Sequence, residues 1–134
     1  MKKILLLSDT HGCADDHILK YARQADEIWH AGDIGSVRVA DTLSSCAVFR
    51  AVYGNIDGWD VRSAYPERLR FTCEGTDVLI KHIGGYPGRY DRSVYEEIFA
   101  APPKLFISGH SHILKVMYDK RFNVMHFNPG AAGT

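Results

Sequence analysis

Seven side chains of the 134-residue chain carry nitrogen or oxygen donors where hydrophobic runs stop: Asp9, His11, Asp33, Asn55, His82, His110 and His112. Asp9-Thr10-His11 follows Ile4–Leu7, and Asp33 closes the stretch Glu27–Asp33. Asn55 closes Val48–Asn55, His82 closes Asp77–His82, and Gly109-His110-Ser111-His112 ends the run that begins at Leu105. An all-nitrogen-and-oxygen set suits one or two borderline divalent ions (manganese, iron, zinc or nickel) rather than a thiolate zinc site. Two ions roughly 3.5–4 Å apart can share a carboxylate and a hydroxide, which makes a nucleophile at neutral pH. Asp33, the single carboxylate following its strand, is the natural bridge. Asp9-x-His11 and His110-x-His112 would turn both members of each pair to one face if extended. Each piece alone is weak, since Gly-Asp or Gly-Asn after a strand is commonly a turn. Their recurrence, in order, at five strand ends carries the reading.

The elements that must position these groups follow from periodicity. Lys2–Ser8 reads as a strand, and Ala14–Ala25 as a helix with a stripe at Ile18, Leu19, Tyr21, Ala22 and Ala25. Glu27–Ala31 is a second strand, Ser36–Leu43 a helix capped by Ser36, and Val48–Tyr53 a third strand. This βαβαβ opening predicts parallel strands with helices packed on them. Ile56–Pro66 reads as a polar, aromatic loop. Glu67–Cys73 and Asp77–Ile83 form a hairpin around Glu74-Gly75-Thr76, and Gly84–Gly88 is a turn-rich loop. Ser93–Ala100 is a short helix, Leu105–Ser108 a buried strand, and Leu114–Lys120 with Phe122–Asn128 a second hairpin. The expected architecture is a single α/β domain over residues 1–134, a sheet or two packed sheets with helices outside. Sites in open α/β sheets form beyond the carboxyl ends of strands, where all seven donors fall.

Composition narrows the function classes. Lys+Arg and Asp+Glu number 16 each, which gives no support for an extended basic face that holds nucleic acid and leaves a local patch open. Cys13, Cys46 and Cys73 make neither a zinc ribbon nor a redox pair, and read as reduced thiols. The apolar run after Met1-Lys2-Lys3 is only four residues, too short for a signal h-region or a membrane span. A cytoplasmic location without membrane partner is the expectation, with homo-oligomerisation left open.

The donor pattern D-x-H, G-D, G-N, H, G-H-x-H resembles that of the calcineurin-like metallophosphoesterase superfamily, and the small size is similar to its compact bacterial and archaeal phosphodiesterase branch. The resemblance implies a four-layer αββα sandwich of two packed mixed sheets with flanking helices. It implies Asp9, His11 and His112 on one ion, Asn55, His82 and His110 on the other, and Asp33 between them. It implies two divalent ions, manganese first and zinc, iron or nickel as alternatives. The activity implied is hydrolysis of a small or nucleotide-like phosphodiester by a metal-bridging hydroxide, with Asp33, Asn55 and His110 closest to the chemistry. An interaction scaffold on the same fold, as in retromer's small metallophosphoesterase-like subunit, and a nuclease are the alternatives.

The sequence also departs from that pattern. Many members carry His after Gly-Asn as a proton donor, where this chain has Ile56; Asp57 is then expected to orient a ligand histidine. His82 is followed by Ile83-Gly84 rather than directly by Gly, and the tail Asn128–Thr134 stops where members continue. Trp59, Tyr86, Arg89 and Tyr90 are candidate rim residues able to stack a base or contact phosphate. His17 is expected to face solvent, His30 and His126 to be satisfied structural groups, and Cys13 a buried, inert thiol.

Overall fold

The computed structural model describes residues 2–132; residues 1, 133 and 134 of the expected domain, with the last two positions of the tail, lie outside the described residues. Strands β1 (Ile4–Leu7), β2 (Glu27–His30) and β3 (Val48–Ala51) form a three-stranded parallel sheet in the order β1-β2-β3. Helices α1 (Asp16–Ala22) and α2 (Val37–Ser44) make the crossovers. Strands β4 (Arg68–Cys73), β5 (Thr76–Lys81), β8 (Leu105–Ile107), β9 (Leu114–Asp119) and β10 (Val124–Pro129) form a mixed sheet ordered β4-β5-β8-β10-β9. Between β5 and β8 lie a two-stranded ribbon, β6 (Gly85–Tyr86) with β7 (Arg89–Tyr90), and helix α4 (Arg92–Ala100).

Strand alternation sorts the apolar side chains into three cores, and three cores separate four layers. Leu7, Ile28 and Ala51 face α1 and α2, meeting Ile18, Ala22, Val39 and Leu43. The intervening residues Ile4, Leu6 and Trp29 face the other way, against Val78, Ile80 and Ile107 of the mixed sheet. On that sheet's far side Leu79, Phe106 and Val124 pack on Val94 and Ile98 of α4. Fully burying side chains of this size stabilises by about 1.5–3 kcal/mol each. The αββα arrangement expected from the sequence is thus present, built from unequal sheets. Leu114, Val116 and Tyr118, on the face of β9 that continues from Phe127 of β10, are 72%, 60% and 50% exposed.

Several boundaries differ from the periodicity reading. The first helix starts at Asp16 rather than Ala14, because Asp15 is its cap and accepts from the Ile18 amide. Ile56–Pro66 is not all loop: Trp59–Ala64 is helix α3, too short to show a period, and it is anchored by the fully buried Val61. The turn-rich loop after His82 contains the β6–β7 ribbon. The return strand of the second hairpin begins at Val124, since Asn123 takes a left-handed turn conformation (φ 58°). Among the described residues, no helix is long and apolar enough to cross a membrane.

Candidate metal centre

The chain leaves β1 and β2 through two loops stapled to each other. Asp9 N–H donates to the Gly32 carbonyl (2.9 Å), His11 N–H to Asp33 (3.0 Å) and Gly12 N–H to Ile34 (2.8 Å). Asp9, His11, Asp33, His110 and His112 all have φ between 50° and 69°. This left-handed region is costly for side chains with a Cβ and tends to persist at functional sites. The only other described non-glycine residues there are Glu74 and Asn123, both at hairpin turns. The x-spaced pairs are therefore not extended, contrary to the sequence expectation. Successive left-handed turns, rather than strand alternation, aim both members inward.

Two carboxylates form the floor: Asp9 and Asp33 are 0% and 2% exposed. Oδ1 of Asp9 lies 3.6 Å from His11 Nε2, 3.8 Å from His82 Nε2 and 3.1 Å from His112 Nε2. Oδ2 of Asp33 lies 3.4 Å from His11 Nε2 and 3.2 Å from His82 Nε2. Asn55 Oδ1 is 3.0 Å from both His82 Nε2 and His110 Nδ1. Asp9, His11, Asp33 and His112 gather in one group and Asp33, His82 and His110 in a second, so Asp33 belongs to both. All seven residues singled out in the sequence meet in one place.

The donor chemistry fits cations. His82 Nδ1 sits 2.7 Å from the Ala31 carbonyl, which only accepts, so Nδ1 carries the hydrogen. In the neutral ring, Nε2 then presents a lone pair to Asn55 Oδ1 and Asp33 Oδ2, both acceptors. Asp9 Oδ1 is buried without a hydrogen-bond partner among the described residues. Converging lone pairs around a buried carboxylate are unfavourable unless a proton or a cation lies between them.

Further residues hold these groups in place. His30 is fully buried, its Nε2 2.9 Å from Thr10 Oγ1 and its Nδ1 accepting from Gly32 N–H (3.1 Å). Burial pushes its pKa down to about 3, so it is a neutral brace between the two loops. His17 is exposed, as expected; His126 is likewise buried, but its Nε2 has no hydrogen-bond partner among the described residues, so it is not the satisfied group the sequence suggested. Asp57 does not orient a histidine: its carboxylate accepts from the amides of Ile34 (3.1 Å), Gly35 (2.7 Å) and Gly54 (2.8 Å). It ties the Asp33 loop to the Asn55 loop. Arg62 of α3 donates from Nε to the Asp57 carbonyl (2.6 Å) and from a terminal nitrogen to the Asn55 carbonyl (3.3 Å). No sequence pattern marks Arg62, because its targets are backbone carbonyls. A Cβ on Gly54 would collide with the Asp33 carboxylate, and one on Gly109 with Ser8 Oγ and Asp9 Oδ2. Cys13 is exposed rather than buried. Tyr90 is no rim residue, because its hydroxyl donates to Asp119 (2.7 Å) and its ring packs on Phe106.

The calcineurin-like phosphoesterase superfamily domain matches residues 1–134, the whole sequence. The chain belongs to that superfamily. No curated protein matches the sequence. Solved structures similar to this phosphoesterase-superfamily chain include a predicted phosphoesterase from Streptococcus pneumoniae, 22% identical, with 98% of this chain and 74% of that one covered and a TM-score of 0.71. An archaeal phosphodiesterase is 24% identical over 96% of this chain and 84% of its own, at a TM-score of 0.69. Zinc-complexed vacuolar protein sorting 29 from Entamoeba histolytica is 18% identical over 96% and 74%, at 0.75. At these identities the likeness shows a shared fold.

Proposed function

We propose that this calcineurin-like phosphoesterase is a divalent-metal-dependent phosphodiesterase acting on a small or nucleotide-like diester. The observation that carries the reading is that six of the donors gather in two groups sharing Asp33, around an Asp9 Oδ1 with no hydrogen-bond partner among the described residues, while Asn55 Oδ1 joins them 3.0 Å from His82 and His110. Asp9, His11 and His112 would hold one ion and Asn55, His82 and His110 the other, with Asp33 shared. Divalent ions bound there supply Lewis acidity and an acidified water able to act as nucleophile at neutral pH, manganese being the first expectation.

The chain's own contribution is positioning. Ile56 N–H donates to Asp33 Oδ1 (3.1 Å), which fixes the carboxylate plane and leaves Oδ2 toward the histidines. The Ala31 carbonyl fixes the tautomer of His82. Asn55 adds an oxygen donor without negative charge, so less repulsion meets an incoming phosphate. Two cavities flank the cluster and share Ile83: one includes Asn55, Arg62, Lys81 and His82, the other His110, Tyr86 and Arg89. Room on both sides suits a phosphorus carrying two organic arms. The Ile56 side chain donates no proton, so the leaving alcohol departs unassisted from that position.

The test is a matrix of manganese, zinc, iron and nickel against bis(4-nitrophenyl) phosphate and 4-nitrophenyl phosphate, with bound metal quantified. Metal-supported hydrolysis favouring the diester is expected; metal-loaded protein inert toward both would overturn the reading. A second reading, an interaction scaffold on this fold, is favoured by the exposed Leu114, Val116 and Tyr118. It predicts an inert protein whose partner binding is lost on Val116→Asp.

A further inference from the structure

Strand β9 ends the five-stranded sheet: among the described residues it pairs with β10 on one side and with no strand on the other. Alternate N–H and C=O groups of Leu114–Asp119 therefore face outward, and an open edge of this kind is a template for another strand. Natural edges are commonly blunted by a proline or a bulge. This one has neither, since all six residues pair in continuous register with β10.

The two faces of β9 differ. Leu114, Val116 and Tyr118 form an apolar row, 72%, 60% and 50% exposed, and none of them belongs to the three cores. Lys115, Met117 and Asp119 alternate with them on the other face, half-buried. Contacts hold both charged groups in place. The Lys115 ammonium lies 3.9 Å from the centroid of the Tyr86 ring, and Asp119 accepts from the Tyr90 hydroxyl (2.7 Å) and the Arg121 amide (2.9 Å). Each keeps capacity for a further partner, the ammonium having three donors and each carboxylate oxygen two lone pairs.

The strand is complementary to itself. In a two-fold antiparallel pair the numbers of facing residues add to a constant, and alternation makes that constant even, so that like faces and outward backbone groups meet. Centred on Met117, such a pair sets Lys115 opposite Asp119 of the second copy and Val116 opposite Tyr118 of the second copy; symmetry repeats both. Centring on Val116 or on Tyr118 would set Lys115 opposite Met117 or Arg121 instead. The Met117 register joins opposite charges on one face and a β-branched residue to an aromatic one on the other, both favourable across strands.

We propose that β9 is a homodimer interface, in which two copies of this chain join edge to edge through antiparallel β9 strands centred on Met117. The two five-stranded sheets become one continuous sheet, and the two apolar rows lie side by side. This pairing is independent of phosphodiester hydrolysis.

Sedimentation equilibrium of zinc-loaded protein should show a monomer–dimer equilibrium. Lys115→Asp and Asp119→Lys should each weaken dimerisation at least about tenfold, because each sets like charges opposite one another at both symmetric positions. The double variant restores opposite charges and should recover the wild-type affinity to within about threefold. In a Cys13→Ser background, Met117→Cys puts two thiols across the two-fold axis at a Cα separation of roughly 4.5–5.5 Å, within disulfide reach. Mild oxidation should link that variant as a dimer and leave Leu114→Cys unlinked. A wild type that stays monomeric at every concentration, its apolar row left to a different partner, would overturn the proposal. So would single reversals that leave the dimer intact, or a folded double variant that does not restore it. Should Asp119→Lys fail to fold for want of the Tyr90 contact, the cross-link decides: Met117→Cys linking no faster than Leu114→Cys refutes the pairing.

Discussion

Nε2 of His82 stands 3.0 Å from Oδ1 of Asn55, although His82 follows a strand of the five-stranded sheet and Asn55 a strand of the three-stranded one. The donor cluster therefore sits on the seam between the sheets. Asp9, His11, Asp33 and Asn55 come from one side; His82, His110 and His112 come from the other. A cation held there would tie the two sheets together, so binding and folding stability should be linked.

Gly54→Ala tests how closely the third strand end approaches Asp33. A Cβ there would collide with both the carboxylate and the backbone nitrogen of Asp33. Diester hydrolysis should fall at least about a hundredfold, as for a misplacement of about 1 Å at a reacting centre. A variant with wild-type kinetics would mean that the Asp33 position is not critical.

Asp57→Asn removes one acceptor oxygen from a carboxylate that serves three amides. Unfolding in urea should show a loss of about 1–3 kcal/mol, the cost of leaving buried N–H groups unpaired. Metal affinity should weaken too, because the Asp33 and Asn55 loops lose their tie. Unchanged stability would show that these amides find other partners.

Ile56→His restores a proton donor where many family members have one. The position is 51% exposed, so the substitution should be tolerated. Diesters with aryl leaving groups should change little, and those with alkyl leaving groups should gain up to about 10²-fold. Equal effects on both would argue against a missing general acid.

Acid stability should track His30 and His126. His30 and His126 have folded pKa values lowered to about 3 and about 4 by burial, against 6.5 for the ordinary imidazole. The unfolded chain takes up those protons first, so stability is full above pH 6.5 and falls as pH drops toward 4. Each group contributes a slope approaching about 1.4 kcal/mol per pH unit. Burial alone would raise the carboxyl of Glu27, but hydrogen bonds from Lys2, Trp29 and Arg50 outweigh it and bring it to about 2. Its contribution is lost only below its ordinary 4.5, so it does not blur the histidine window. Urea unfolding of chelator-treated protein at pH 7 and pH 5 should differ by several kcal/mol; equal values would contradict the assignment.

The legible part of this molecule was its strand ends. Asp9, His11, Asp33, Asn55, His82, His110 and His112 announce themselves because an apolar run followed by such a residue type is readable in one dimension. The runs by themselves imply a sheet or two packed sheets with helices outside, and the resemblance to the superfamily implies the four-layer αββα sandwich. What stayed hidden depends on tertiary contact. Trp59–Ala64 is helical around a single buried Val61, too little to give a period. Asp57 and Arg62 act on backbone groups of other loops, which residue types do not reveal. The left-handed conformations of Asp9, His11, Asp33, His110 and His112 break the extended geometry that their spacing suggested. Cys13 is exposed, next to Gly12 in a left-handed conformation (φ 82°), which its residue type does not reveal.

The most direct test of the centre is a count of tightly bound metal, made by elemental analysis after equilibrium dialysis against manganese or zinc. Wild-type protein should hold two ions per chain, His112→Ala should keep about one, and Asp33→Ala should lose both along with diester hydrolysis while remaining folded. A wild type that binds no ion, or an Asp33→Ala variant that retains two, would contradict the shared-carboxylate centre.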